Sequence, residues 1–187
     1  FGKELPEIII VGLGFKANNT VEYVKKRARD FTTTSIEGFS TFGDANNFYG
    51  FIKNELFPYL EKNYRIDPND KALSGFSFGG QFTTYVLLEH TSDFNRYIIG
   101  SPSIWWDENL INIAKNKIGE LKSKNLSVYT FMGEKEGAVV NLWKEINEIY
   151  EDNKNENFKF KQKLVAGKTH TAVFPAEFST ALEWIYN

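Results

Sequence analysis

A serine framed by glycines, Gly75-Phe76-Ser77-Phe78-Gly79 with Gly80 added, stands between a short strand-like run and a segment of helical periodicity. No other feature constrains the fold as much. At a strand-to-helix junction, such glycines permit a strained turn and close packing of strand on helix. The turn holds the serine hydroxyl at the helix N-terminus, where free N–H groups and the positive end of the dipole favour an anion. A G-x-S-x-G string arises by chance in roughly one chain in fifteen of this length, so its context decides. Here a strand candidate, Lys71–Gly75, leads in, and Phe78–His90 leads out with Phe82, Tyr85, Val86 and Glu89 spaced by threes and fours.

Strand and helix patterns alternate along the rest of the chain. Glu7–Val11 (EIIIV) has the profile of a buried parallel strand. Asn47–Lys62 carries Phe48, Phe51, Ile52, Leu56, Tyr59 and Leu60 at helical spacing, with Pro58 set to kink the helix or end it early. Tyr97–Gly100 and Val128–Met132 read as strands, and Asn109–Lys122 and Val139–Tyr150 as amphipathic helices. Phe158–Leu164 alternates aromatic or aliphatic residues with Lys159, Lys161 and Lys163, as on a strand near a sheet edge. Pro175–Tyr186 reads as a final helix with proline in its first turn. The alternation predicts an α/β fold around a mainly parallel sheet with helices on both faces. Asp30–Asn46, rich in Thr, Ser and Gly, predicts a polar loop on the ligand side.

Composition excludes several classes. The chain has 187 residues, the size of one domain around one core. It is 42% hydrophobic with 17 Phe, 9 Tyr and 4 Trp, too apolar for intrinsic disorder. A net charge of −2 offers no electrostatic reason to expect nucleic acid or an anionic membrane. The run Ile8-Ile9-Ile10-Val11 is far short of a membrane span. With no cysteine, disulfides, thiolate nucleophiles and Cys-ligated zinc are excluded. The chain opens on Phe1, without an initiator Met or a signal-peptide pattern, and the expectation is that the gene product begins upstream.

A second glycine-rich string, Gly12-Leu13-Gly14-Phe15-Lys16-Ala17, fits a dinucleotide-binding fingerprint after the Glu7–Val11 strand. That motif needs a helix and then a second strand ending in an acid, whereas the chain runs through Asn18-Asn19-Thr20 to Thr32-Thr33-Thr34. A glycine turn leaving a strand is the better reading.

A nucleophilic serine needs a base, and the chain has two histidines. His90 ends the helix that leaves the elbow, about 18 Å from Ser77 at 1.5 Å per residue. His170 falls in Gly167-Lys168-Thr169-His170-Thr171, between the last strand and the last helix, on the sheet edge where Ser77 also sits. An orienting acid would follow Val128–Met132, where Gly133-Glu134-Lys135-Glu136-Gly137 offers either Glu134 or Glu136.

These residues, with Arg27-Ala28-Arg29-Asp30-Phe31-Thr32, Glu55–Tyr64, Ser101-Pro102-Ser103-Ile104-Trp105-Trp106-Asp107 and Gly167–His170, resemble the esterase D-like branch of the α/β-hydrolases, a group that includes enterobactin-type siderophore esterases. The similarity runs from Leu5 to the C-terminus. It implies a serine hydrolase of small-molecule carboxylic esters that uses no metal or organic cofactor. Ser77 would be the nucleophile, His170 the base and the Phe78 N–H an oxyanion donor. Glu136, three residues after the glycine, stands in the family's usual register for the acid, with Glu134 as the alternative. The resemblance also implies a substrate pocket near Arg27, Arg29, Trp105 and Trp106. Ion pairing of the arginines with Asp30 or Asp107, and core packing of one tryptophan, are the competing roles. Thr33 stands where the family usually has proline, and the elbow reads Gly-Phe-Ser where Gly-His-Ser is common. An acyltransferase would use the same residues, and a hydrolase-like binding module without catalysis is the reading from another class. Aligned on the family, Glu7–Val11 corresponds to its fourth strand, so the expectation is a domain lacking the N-terminal strands, with a gap beside Lys71–Gly75 or direct pairing across it.

Overall fold

In the computed structural model, residues 5–35 and 42–187 are described. Four parallel strands, β1 (Ala72–Phe76), β2 (Arg96–Gly100), β3 (Leu126–Gly133) and β4 (Phe158–Val165), form one sheet in the order β1-β2-β3-β4. The crossovers are α4 (Phe78–Glu89), α5 (Asn109–Leu121) and α6 (Val139–Asn153). Before them come α1 (Thr20–Phe31), α2 (Ala45–Phe51) and α3 (Phe57–Asn63); α7 (His170–Tyr186) closes the chain.

Alternate residues of the central strands bury on opposite faces. Tyr97, Ile99 and Val128 join Val86 and Leu87 of α4, Leu110 and Ala114 of α5, and Ile146 and Tyr150 of α6. Ile98, Tyr129 and Phe131 pack on the other face against Val173, Ala181 and Ile185 of α7. Every residue of β2 after Arg96 is buried, as a parallel sheet covered on both sides requires. The expected edge strand is β4, where Phe158 and Phe160 are buried while Lys159 and Lys161 are exposed. No helix among the described residues is long and apolar enough to cross a membrane.

Three expectations need correction. Glu7–Val11 is not a strand: among the described residues β1 pairs with β2 alone, and the segment makes no ladder. A strand exists only with a hydrogen-bonded neighbour, and across from β1 there is instead a groove of about 590 Å³ lined by Ile8–Leu13 and Ala72–Phe76. Ile10 is left 74% exposed. A helix does follow the Gly12–Ala17 string, but it opens only at Thr20, capped by the Asn19 side chain on the Glu22 N–H. Finally, α7 begins at His170, five residues before Pro175, its first turn closed by Val173 N–H on Thr169 O at 3.0 Å.

Pro58 acts earlier than its own position. A π-helical turn, Ile52–Leu56, joins α2 to α3, and Phe57 N–H donates to Ile52 O five residues back. The wider turn lets the helical path pass the missing proline N–H, which falls in the first turn of α3. Of the polar stretch Asp30–Asn46, residues 36–41 lie outside the described residues. Its near end belongs to α1, and its far end opens α2.

Candidate active site

Ser77 occupies the junction of β1 and α4 with φ 62° and ψ −120°. A left-handed φ in a residue with a side chain costs about 1–3 kcal/mol and persists only where its surroundings impose it. Three backbone bonds do so: Ser77 N–H donates to Gly100 O (3.0 Å), and Ser77 O accepts from Gln81 N–H (3.0 Å) and Ser103 N–H (3.2 Å). The glycines explain the close approach. A Cβ on Gly75 would lie 2.0 Å from Gly79 O, and one on Gly80 would lie 2.6 Å from Gly100 O. Gly79 itself is not crowded, its nearest neighbour being Phe31 at 4.0 Å. Serine at a helix start ordinarily caps the helix with its hydroxyl. The Ser77 hydroxyl does not, and the N–H of Phe78, first residue of α4, stays available beside it.

The two carboxylates after β3 separate cleanly. Glu136 Oε2 lies 2.5 Å from His170 Nδ1, and Oε1 accepts from Ser101 Oγ and Gly133 N–H at 2.7 Å each. The Glu136 side chain is only 3% exposed. Burial pushes its carboxyl up, but the hydrogen bonds from His170, Ser101 and Gly133 outweigh burial and hold it below the ordinary carboxylate value. Glu134 instead accepts from Gly167 N–H at 2.8 Å and braces the turn that leads to His170.

The His170 ring stands 4.7 Å from the ring of Phe76, the residue before Ser77, and its Nε2 makes no hydrogen bond among the described residues. His90 is elsewhere: it ends α4, stacked on Tyr49 at 3.6 Å, with the Tyr85 hydroxyl 3.1 Å from Nε2. Burial holds its pKa down.

A pocket of about 350 Å³ opens over His170 and Glu136, lined also by Ser103, Trp105, Met132 and Lys135. Trp105 is half exposed on this wall. Trp106 turns the other way: its Nε1–H donates to Thr34 O (3.0 Å) and its ring meets Phe78 edge-on at 5.2 Å. Arg29 pairs with Asp30 through two hydrogen bonds of 2.6 and 2.9 Å. The Arg27 guanidinium lies over Tyr23 and Phe31 and lines the groove beside β1, not the pocket over His170. Asp107, the other acid considered for the arginines, accepts from Thr33 Oγ1 at 2.5 Å.

Ser101 and Ser103, which stand in the Ser101–Asp107 string, and Lys135 carry no site role in the sequence reading, although all three line the pocket. The only signal was position, since a residue one step past a parallel strand falls on the edge where ligands bind.

A family profile described as "Putative esterase" matches residues 3–185. Ferri-bacillibactin esterase BesA of Bacillus subtilis is 32% identical over 127 residues, 63% of this chain and 43% of BesA. The chain thus spans less than half the length of that relative. Among solved structures, the BES protein of Bacillus cereus superposes with a TM-score of 0.78 at 30% identity, over 87% of this chain and 66% of that one. An IroE-like serine hydrolase of Shewanella oneidensis shares the fold at a TM-score of 0.77 and 18% identity, over 86% of this chain and 56% of its own. The chain belongs to the "Putative esterase" family and has its α/β-hydrolase fold.

Proposed function

We propose that the chain hydrolyses carboxylic esters through an acyl-enzyme on Ser77, with siderophore-type esters as the substrate class. One observation carries the reading: Glu136 Oε2 stands 2.5 Å from His170 Nδ1 on the edge where Ser77 holds a left-handed elbow. The carboxylate selects the tautomer with a proton on Nδ1, leaving Nε2 to accept one. Nε2 takes the Ser77 proton as Oγ attacks the ester carbonyl, and the Phe78 N–H donates to the oxyanion. The imidazolium, stabilised by Glu136, returns the proton to the departing alkoxide. Water then attacks the acyl-enzyme with His170 again as base, releasing the acid and restoring Ser77.

The substrate class rests on likeness, since BesA is a ferri-bacillibactin esterase. The pocket wall suits an aromatic acyl group, with Trp105 offering a face and Lys135 a positive charge. Two steps test the proposal: fluorophosphonate labelling, then product release from simple acyl esters, acetylated sugars and catecholate trilactones. Labelling at Ser77 that Ser77→Ala removes, with hydrolysis of trilactones preferred, is the expected result. No labelling would leave a binding module. Labelling with product formed only when an alcohol acceptor is supplied would make the chain an acyltransferase.

A further inference from the structure

Ser77 and Ser101 are the two non-glycine residues with a positive φ among the described residues, and they leave the adjacent strands β1 and β2. Ser77 is accounted for by the proposed chemistry. Ser101, with φ 37° and 2% exposure, is not.

We propose that Ser101 is a positioning residue: its hydroxyl anchors Glu136 Oε1 so that Oε2 faces His170. This inference rests on the esterase reading above and extends it to a residue that does not touch the reacting atoms. Ser101 N–H donates to Phe131 O at 2.7 Å, continuing the β2–β3 pairing one step past the strand and fixing where the side chain starts. From there Oγ reaches Glu136 Oε1 at 2.7 Å, across 35 residues of chain. Gly133 N–H donates to the same oxygen at 2.7 Å. Two donors at Oε1 settle the carboxylate's rotation about its last side-chain bond, which is otherwise broad. Oε2 is then directed at His170 Nδ1, 2.5 Å away.

The backbone gives an independent reason to assign the hydroxyl a role. Glycine would adopt φ 37° without strain, so serine carries a conformational cost here, against which the Oγ bond to Glu136 is a gain that glycine would lack. The hydroxyl also works against burial, which pushes the Glu136 carboxyl up, by favouring the ionised form that stabilises an imidazolium.

The test is a double-mutant cycle in the full chain, read with p-nitrophenyl acetate. Ser101→Ala and Ser101→Gly should each lower kcat about tenfold with little change in KM, the size expected for one hydrogen bond to a charged group. The glycine variant removes the hydroxyl without asking alanine to hold a left-handed φ, so a folding defect confined to alanine does not confuse the result. In a Glu136→Ala background, the same changes should cost less than twofold, because the anchor has nothing left to hold. The far-downfield proton resonance of His170 Nδ1–H should move upfield or broaden in Ser101→Gly. Fully additive losses, an unchanged kcat in Ser101→Gly, or full activity in Glu136→Ala would each overturn the inference. Ser77→Ala separates the two levels. If it stays active, the esterase reading fails; if it is inactive while the cycle is additive, only the role of Ser101 fails.

Discussion

Glu136 and His170 meet across 34 residues of chain, with Oε2 2.5 Å from Nδ1. The loop after β3 sets one partner and the first residue of α7 sets the other. The opposite face of the carboxylate is as tightly specified, because Ser101 and Gly133 both donate to Oε1. The two oxygens of Glu136 therefore sit in unlike environments, one facing two fixed donors and the other a ring whose tautomer it selects.

That asymmetry predicts an unusual order of severity. In Glu136→Gln the amide oxygen goes to Gly133 N–H, which can only donate and so cannot accept the amide, and the NH₂ faces His170. The ring must then accept at Nδ1 and carry its proton on Nε2, where it cannot take one from Ser77. The expected loss in kcat is roughly 10⁴-fold, the size seen when a triad acid becomes an amide. Glu136→Ala imposes no tautomer and should lose less than the glutamine variant. Glu134→Gln should be silent, since an amide oxygen can still accept from Gly167 N–H. Steady-state kinetics on the three variants decides it, and an alanine variant worse than the glutamine one would refute the argument.

The proposed chemistry needs an ionised Glu136 beside a neutral His170. Glu136 is held below the ordinary carboxylate value, so the loss of kcat/KM that its protonation brings should come at a lower pH than a free carboxylate would give. His90→Phe should leave the profile in place, since His90 is stacked on Tyr49 at the far end of α4. Burial holds the folded pKa of His90 below its unfolded value. Its contribution to stability is therefore complete above the unfolded value and lost as pH falls through the folded one. The His90→Phe variant should lose less Tm than the parent between pH 7 and pH 5.

Much of this was legible in the sequence, and the gaps have physical causes. The central strands and α4 to α6 carry apolar residues at periods set by burial on both sheet faces, so their boundaries lie close to the expected ones. Glu7–Val11 has the composition of a buried strand, but pairing depends on a neighbour that a local pattern does not contain. Helix α1 buries little beyond Ala28 and Asp30 and leaves Val21 and Val24 exposed, so its apolar spacing was a poor guide. Its Asn19 and Glu22 cap was a readable start signal. For the site, strand-turn-helix order put Ser77, His170 and Glu136 on one edge, because parallel strands share their C-terminal side. Ser101 stands in a string that carries the resemblance, but its role was not legible, since a left-handed φ at serine is imposed from outside the residue.

Gly75→Ala should be the most damaging single-methyl change near the elbow. The added Cβ would fall 2.0 Å from Gly79 O and 2.4 Å from Thr83 Oγ1, and the backbone oxygen cannot swing away as a side chain could. A loss of at least about 1–3 kcal/mol is expected from overpacking, with Ser77 displaced as the junction opens. Gly79→Ala meets only Phe31 at 4.0 Å and should remain folded. Thermal denaturation, with fluorophosphonate labelling of the folded fraction, would separate them, and equal stability of the two variants would contradict the packing argument.

Arg96 ties the start of β2 to both the turn before β1 and the end of α7. Its guanidinium donates to Asp70 Oδ1 and Oδ2 at 2.7 and 3.2 Å, bonds the Ile185 carbonyl, and lies 4.7 Å from the Tyr186 ring centre. The hydrogen bond from Arg96 is the main cause that lowers the Asp70 pKa. A carboxylate whose folded pKa is depressed contributes stability fully above its unfolded value, near 3.9 for aspartate, and loses it as pH falls through the folded value. With Arg96 24% and Asp70 37% exposed at the side chain, the pair is partly screened and is worth about 1 kcal/mol. Arg96→Met should therefore lower Tm by roughly 2–4 °C at pH 7, plus the cost of the lost carbonyl bond. The gap between variant and parent should narrow as pH falls below about 4 and Asp70 takes a proton, and only the Asp70 share should close. A gap that stays constant through that fall would mean the ion pair contributes nothing and that Arg96 acts through Ile185 and Tyr186 alone.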